Sequence, residues 1–157
     1  FNAIVSLKDR ATLMREAAGA DEERAAGRAR GWLHGVPMAI KDLAAAEGMP
    51  KSQGSPLHAA EGNSTKDCLM VARLRGAGAI VIGKTNTPEF GLGSHSFNPV
   101  FGATRNAWNP SKSAGGSSGG AAVALALRMV SVADGSDMMG SLRNPAGWNA
   151  VWGIRPS

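Results

Sequence analysis

The chain has 157 residues, of which 43% are hydrophobic and 18% charged, and this length and composition fit one domain with a real core. The formal net charge of +5 is spread along the chain without a basic run, and Tyr is absent, so a solvated surface is expected and a nucleic-acid partner is not. No segment approaches the ~20 apolar residues of a membrane span, no signal-peptide pattern begins the chain, and a single cysteine excludes an intramolecular disulfide, so a cytoplasmic protein is expected.

The first part of the chain combines a helical segment with a buried strand. Apolar residues and alanines at helical spacing over residues 7–26 predict one or two amphipathic helices, with a break near Gly19. Residues 35–42 form an apolar run that predicts a buried strand entered through a turn. Because side chains alternate along a strand, Lys41 and Asp42 are expected on its opposite faces.

The position of Lys41 at the end of a buried strand has two interpretations. A salt-bridged or solvent-reaching lysine is the simplest one. A buried amine that Asp42 does not hold is the other, because burial can lower the lysine pKa of ~10.4 by up to ~3–5 units and leave a neutral base. Lys84 is a rival candidate base, although it lies between a glycine and a turn.

A helix and a second strand are predicted next. Residues 67–75 read as a helix that Thr65 could cap and that contains Cys68 as a small core residue. The β-branched residues 79–83 predict a strand parallel to the first one. This order of strand, helix and strand predicts an α/β fold with a mixed, largely parallel β-sheet flanked by helices.

The histidines do not suggest a metal site. His95 lies in a long polar loop predicted over residues 91–110, and it has no second histidine at metal-binding spacing. His34 and His58 are equally isolated in the sequence. No metal ion and no cofactor are therefore expected.

Residues 115–120 contain four glycines and two serines in six positions. A flexible linker is one interpretation, but the strong helix former over residues 121–130 favours a structured loop whose backbone N–H groups surround an anion or oxyanion. A phosphate-binding loop is excluded because no Lys follows the last glycine. The run also lacks the dinucleotide-binding spacing and the His/Asp partners of a hydrolase elbow.

The last part of the chain alternates again between strand and helix. Residues 130–134 predict a strand, and residues 135–141 form the loop at its end. Residues 142–149 predict a helix with Pro145 near its first turn, where proline is tolerated. Residues 151–155 are expected to begin a further strand.

Four segments resemble the amidase signature family, in the family's order. They are Gly-Val-Pro-Met-Ala-Ile-Lys-Asp at 35–42, the stretch from Gly-Lys-Thr-Asn to Phe-Gly at 83–91, the Gly/Ser run at 115–120, and Asp-Met-Met-Gly-Ser-Leu-Arg-Asn-Pro-Ala at 137–146. The resemblance covers the whole chain and implies that residues 1–157 are one amidase signature domain. Since family members are longer, a truncated fragment that lacks part of the sheet and of the substrate pocket is expected.

The resemblance also implies a catalytic triad. Ser141 would be the nucleophile, Ser117 would relay the proton, and Lys41 would be the ultimate base. In the family a cis peptide bond precedes the relay serine, which here is the bond from Gly116 to Ser117. A serine hydroxyl needs such a base within hydrogen-bond reach because it is a poor nucleophile at neutral pH.

Further site residues follow from the same resemblance. The candidate donors of the oxyanion hole are the backbone N–H groups of Met138, Met139, Gly140 and Ser141. Glycine is usual at position 139, so Met139 is strained if its φ is positive and lines the pocket if it is not. The candidate supporting residues are Asp137 and Arg143, which would brace the loops or form a surface ion pair, together with Ser118 and Ser113 as hydrogen-bonding groups.

The implied function is hydrolysis of a small-molecule carboxylic amide to an acid and ammonia or an amine through an acyl-serine intermediate, without a cofactor. One alternative is the amidase subunit of a glutamine-dependent aminoacyl-tRNA amidotransferase, which would have a partner subunit. An alternative of another class is a truncated fragment without catalytic activity. A homodimer is left open as the assembly.

Overall fold

The elements of the fold follow one another with short connections in a computed structural model that describes residues 1–156. In chain order they are helix α1 (Arg10–Ala25), strand β1 (Pro37–Lys41), helices α2 (Pro56–Ala59) and α3 (Leu69–Gly76), strand β2 (Ile80–Thr85), a 3-10 turn (Glu89–Gly91), strands β3 (Phe97–Asn98) and β4 (Gly102–Ala103), helix α4 (Gly119–Ala126), strand β5 (Val132–Ala133) and helix α5 (Arg143–Trp148). Within the described residues, no helix combines the length and the apolar character needed to cross a membrane.

The main sheet has three parallel strands in the order β2-β1-β5, which confirms the predicted α/β class. Lys41 lies opposite Thr85 in the register of β1 and β2, and Ala39 lies opposite Ala133 of β5. Parallel strands end at one edge of the sheet, where α/β proteins keep their functional loops. The side chains of Lys41, Thr85 and the residue after β5, Asp134, therefore belong to the same edge.

The core consists of two apolar clusters on the two sides of this sheet. One joins Ile40 and Val81 of the sheet to Val71 of α3, together with Ala46 and Met49. The other is built around α4, whose residues from Gly119 to Ala124 are all buried. These small side chains let α4 approach closely, and a Cβ atom at Gly120 would overlap backbone atoms of Asn86 and Ala3.

The predicted break in the first helix is wrong. Helix α1 runs without interruption from Arg10 to Ala25 and passes through Gly19, with Asp9 as its N-cap. No residue of α1 is buried, and a side chain at Gly19 would meet nothing within 4 Å. Glycine costs an exposed helix only about 1 kcal/mol relative to alanine, which is too little to end it here.

The start of the second helix also differs from the prediction. Helix α3 begins at Leu69 with Cys68 as its N-cap, so Thr65 does not cap it and Cys68 lies half-buried at the helix boundary. The cause is an extended connection that pairs with the loop after β1: Ser64 bridges to Glu47, and Cys68 N–H donates to Ala45. These contacts delay the first helical turn.

The predicted final strand is absent from the described residues. Residues 151–156 contain no strand, and the Val151 N–H instead donates to the Ala146 carbonyl at the end of α5. Strand β5, which is only two residues long, is the outermost strand of the described sheet and has β1 as its neighbour. A further strand would need a partner that this part of the chain does not supply.

Candidate active site

Three serine hydroxyls surround the amine of Lys41 at the end of β1. The Lys41 side chain is buried, and its Nζ lies 2.7 Å from Ser117 Oγ and 2.9 Å from Ser118 Oγ. Ser136 Oγ lies 2.9 Å from the same nitrogen. The first two serines come from the Gly/Ser loop before α4, and the third comes from the loop after β5. Three parts of the chain therefore converge on one amine.

The pKa of Lys41 is set by burial. Removal from water lowers this pKa from 10.5 to about 8, while the nearby carboxylates of Asp134 and Asp137 favour the charged form and limit the decrease. About a tenth of the amine is then neutral at pH 7. The side chain can accordingly accept a proton near neutral pH.

The carboxylate of Asp42 lies in a different environment, as the alternation along β1 predicts. Its Oδ2 accepts a hydrogen bond of 2.6 Å from Ser52, and its Oδ1 lies 3.8 Å from Lys84 Nζ. Lys84 also donates to the Ala44 carbonyl. Burial raises the pKa of Asp42 and lowers the pKa of Lys84. The rival candidate base therefore belongs to a second buried network, with Asp42 as its partner.

The Gly/Ser run is a structured loop, as predicted, and residues 114–120 are all buried. The peptide bond between Gly116 and Ser117 is cis. Ser96 ties this loop together, because its Oγ donates to the Gly115 carbonyl at 2.9 Å and accepts from Gly119 N–H at 3.0 Å. Ser113 supports the loop from the other end, where its Oγ accepts from the Gly115 N–H at 3.1 Å.

Ser141 is joined to the Gly/Ser loop through its backbone. The Ser141 carbonyl accepts a hydrogen bond of 2.9 Å from Ser118 N–H, and the residue is half-buried. The preceding residue, Gly140, has a φ of +107°, a conformation that favours glycine. The backbone bond brings the loop of Ser141 beside the loop of Ser117.

Asp137 holds the loop of Ser141 in shape. Its carboxylate accepts backbone N–H groups of Gly140, Leu142 and Arg143 at 2.7, 3.2 and 3.1 Å. It also receives two hydrogen bonds from the Arg143 guanidinium, at 2.9 and 3.0 Å. The Arg143 guanidinium and these amides hold the pKa of Asp137 well below its usual range. With an Asp137 side chain only 1% exposed, the pair is more than a surface ion pair.

The four candidate oxyanion donors differ in their availability. The Gly140 N–H is engaged by Asp137, while the side chains of Met138 and Met139 are 82% and 83% exposed. Met139 is not among the residues with positive φ, so methionine is accommodated at that position without backbone strain. Its side chain points toward solvent in this structure.

Two residues of the site were not predicted from the sequence. Asp134 Oδ1 accepts the Lys41 backbone N–H at 2.8 Å, and burial raises the pKa of this carboxyl. Ser136 contributes the third hydroxyl at the Lys41 amine. Both residues lie at the predicted strand end after β5, and a polar run at such a strand end is a signal that could have indicated them.

Known proteins match the chain in sequence and in structure. The family model described as Amidase matches residues 1–157. An acylamidase from Rhodococcus erythropolis is 45% identical over 158 residues, which cover 100% of this chain and 32% of that protein. One subunit of the glutamyl-tRNA(Gln) amidotransferase from Azoarcus sp. (strain BH72) is 44% identical over 157 residues, again 100% and 32%.

A solved structure agrees with these relatives. The native peptide amidase from Stenotrophomonas maltophilia superposes with a TM-score of 0.86 at 41% identity, over 94% of this chain and 31% of that protein. The chain thus spans about a third of the length of the relatives that it matches. The match of the family model over all 157 residues shows that the chain belongs to the amidase signature family.

Proposed function

We propose that the protein hydrolyses a small carboxylic amide, with Ser141 as the nucleophile, Ser117 as the proton relay and Lys41 as the base. The observation that carries this proposal is the distance of 2.7 Å between Lys41 Nζ and Ser117 Oγ. The amine involved is buried and has its pKa lowered to about 8, close to the value that suits a base at neutral pH. Amide hydrolases among the relatives that match the chain support the reaction class.

The proposed reaction proceeds by two acyl transfers. Ser141 Oγ forms a bond to the amide carbon while its proton passes to Ser117 and the proton of Ser117 passes to Lys41. The tetrahedral intermediate then breaks its C–N bond, and the leaving nitrogen takes a proton back through Ser117. Water attacks the resulting ester by the same route and releases the acid. All steps are proton and acyl transfers, so the proposal includes no cofactor.

The negative charge on the carbonyl oxygen requires donors during each tetrahedral step. We assign this role to the backbone N–H groups of Met138, Met139 and Ser141. The Gly140 N–H would join them only after leaving Asp137, to which it donates at 2.7 Å. In this proposal Asp137 and Arg143 keep the donor loop in one conformation.

A second candidate function is supported by the similarity to amidotransferase subunits. All 157 residues of the chain align with one such subunit at 44% identity. A protein of this kind would use the same serines and lysine to release ammonia from glutamine for a partner subunit. Dependence of ammonia release on that partner distinguishes it from an independent amidase.

Ammonia release from simple primary amides by the full-length protein tests the proposal. We expect turnover by the parent and a rate reduced by about 1,000-fold or more in Ser141→Ala. Ser111→Ala, in an exposed turn, is the matched control and should keep the parent rate. A folded parent that hydrolyses none of the amides would contradict the proposal and favour a non-catalytic protein. Release from glutamine only in the presence of a partner subunit would favour the second candidate.

A further inference from the structure

The Lys41 amine has more hydroxyl neighbours than a base can use. Its Nζ lies 2.7 to 2.9 Å from the Oγ atoms of Ser117, Ser118 and Ser136. A protonated amine has three N–H groups and can donate to all three hydroxyls. A neutral amine has two N–H groups and one lone pair, so only one hydroxyl can give it a proton. The proposed reaction requires that this hydroxyl belong to Ser117.

The hydrogen bonds of Ser118 determine its role at the amine. Its Oγ accepts the Ser136 N–H at 3.3 Å and donates to the Ser136 carbonyl at 3.4 Å. A hydroxyl has one hydrogen and two lone pairs. With the hydrogen directed at a carbonyl, Ser118 meets Lys41 with a lone pair. It is therefore an acceptor of a Lys41 N–H and does not donate to the amine.

Ser136 is held in place by the same two hydrogen bonds. Its backbone N–H and carbonyl both meet the Ser118 hydroxyl, which fixes the residue beside the amine. Its own Oγ lies 2.9 Å from Lys41 Nζ, and the residue is exposed, so its hydrogen can turn toward solvent. The Ser136 oxygen is then free to accept the second N–H of the amine.

We propose that Ser118 and Ser136 are positioning residues that bind the two N–H groups of neutral Lys41 and so direct its lone pair at Ser117. The inference rests on the proposed function, because it concerns the base of that reaction. It gives Ser136 a role that is separate from the nucleophile and the relay. Without these acceptors the amine could rotate and present an N–H to Ser117 in place of the lone pair.

The charged groups around Lys41 leave this assignment to the hydroxyls. Asp134, at the end of β5, binds the Lys41 backbone N–H at 2.8 Å. Asp137, in the following loop, is paired with Arg143. On the side of β2, Lys84 faces Asp42. The hydrogen bonds to the Lys41 amine itself come from the three serines.

The pH dependence of fluorophosphonate labelling, measured on the full-length protein, tests the inference. We expect Ser136→Ala to lower the plateau rate at high pH about tenfold and the double variant Ser118→Ala/Ser136→Ala about 100-fold, since misdirected groups cost such factors. The midpoint should move to lower pH, because the ammonium form loses an acceptor. Ser136→Thr, which keeps the hydroxyl, should restore most of the lost rate. Ser111→Ala is the control.

Two results would overturn the inference while leaving the proposed function intact. One is an unchanged plateau in Ser136→Ala and in the double variant. The other is a lower plateau with an unmoved midpoint and no rescue by Ser136→Thr. In both cases Lys41→Ala and Ser141→Ala would still abolish labelling, and their failure to do so would instead contradict the proposed function. If the buried Ser118 cannot be replaced without loss of folding, the exposed Ser136 decides the question alone.

Discussion

Lys41 and Asp42 are adjacent in the chain, but their charged groups belong to separate hydrogen-bond networks. Lys41 Nζ lies 2.7 Å from Ser117 Oγ, whereas Asp42 Oδ1 lies 3.8 Å from Lys84 Nζ. Alternation along β1 produces this separation. As a result, Lys41 can lose its proton without breaking an ion pair with Asp42. A base and a structural ion pair thus occupy consecutive positions at the end of one strand.

Replacement of Lys41 by Met is expected to change how stability depends on pH. Burial lowers the pKa of Lys41 from 10.5 to about 8, so between these values the unfolded parent holds more protons than the folded parent. The parent therefore gains stability with rising pH in this window, by at most about 1.4 kcal/mol per pH unit. The free energy of unfolding of Lys41→Met relative to the parent should fall as pH rises from 8 to 10.

Urea denaturation at pH 7, 8.5 and 10 measures this effect. Lys112→Met, at an exposed position, is the control and should follow the parent at each pH. A stability difference between Lys41→Met and the parent that is the same at all three pH values would contradict the perturbed titration of Lys41.

The buried pair of Lys84 and Asp42 should matter for stability. Both side chains are at most 1% exposed. Removal of one partner leaves a buried charge without its counterion, which typically costs about 3–5 kcal/mol. Lys84→Met and Asp42→Asn should each lower the free energy of unfolding by about that amount, as measured by urea denaturation.

A surface pair provides the comparison for these two variants. Lys8 and Glu16 lie 2.7 Å apart with side chains 15% and 35% exposed, and Glu16→Gln should cost less than about 1 kcal/mol. The double variant Asp42→Asn/Lys84→Met should be less destabilised than the sum of the single variants, because neither charge is then left alone. Additive losses would show that the two side chains act independently.

Asp137 and Arg143 should contribute unequally to activity, although they form one ion pair. Asp137 accepts three backbone N–H groups in addition to the guanidinium. Asp137→Ala releases the whole loop and should lower kcat/KM about 100-fold, because catalytic groups then lose their position. Arg143→Ala leaves the backbone bonds in place and should cost about tenfold or less. Equal losses in the two variants would mean that the ion pair, and not the backbone bonds, holds the loop.

Gly120 and Gly147 form a matched pair for testing close packing. A Cβ atom at Gly120 would overlap backbone atoms of Asn86 and Ala3, whereas one at Gly147 meets nothing within 4 Å. Gly120→Ala should destabilise the protein by about 1–3 kcal/mol. Gly147→Ala, in helix α5, should be neutral or stabilising by up to about 1 kcal/mol. Thermal unfolding checks both, and equal effects would contradict the close approach of α4.

The elements that could be predicted from the sequence are those with strong local patterns. Strands β1 and β2 are apolar and partly β-branched runs, and α4 follows a run of small helix formers, so local preference and tertiary structure agree. The location of Lys41 on one face of β1 follows from alternation alone. Recognition of the family needed the four motifs together, because the Gly/Ser run alone is compatible with several loops.

The features that could not be predicted depend on contacts between distant parts of the chain. The start of α3 is set by the bridge between Glu47 and Ser64, which no local pattern reveals. The role of Ser136 depends on bringing the end of β5 beside β1, in a register of two residue pairs. Likewise, Asp134 binds a backbone N–H that is 93 residues away in sequence.

Intact-mass analysis of the full-length protein after treatment with a fluorophosphonate tests the central claim most directly. The account predicts one adduct on the parent, none on Ser141→Ala, and labelling about 100-fold slower in Ser117→Ala and Lys41→Ala, in keeping with the loss of general-base assistance. An adduct that persists on folded Ser141→Ala, or equal labelling rates in the parent and Lys41→Ala, would contradict it.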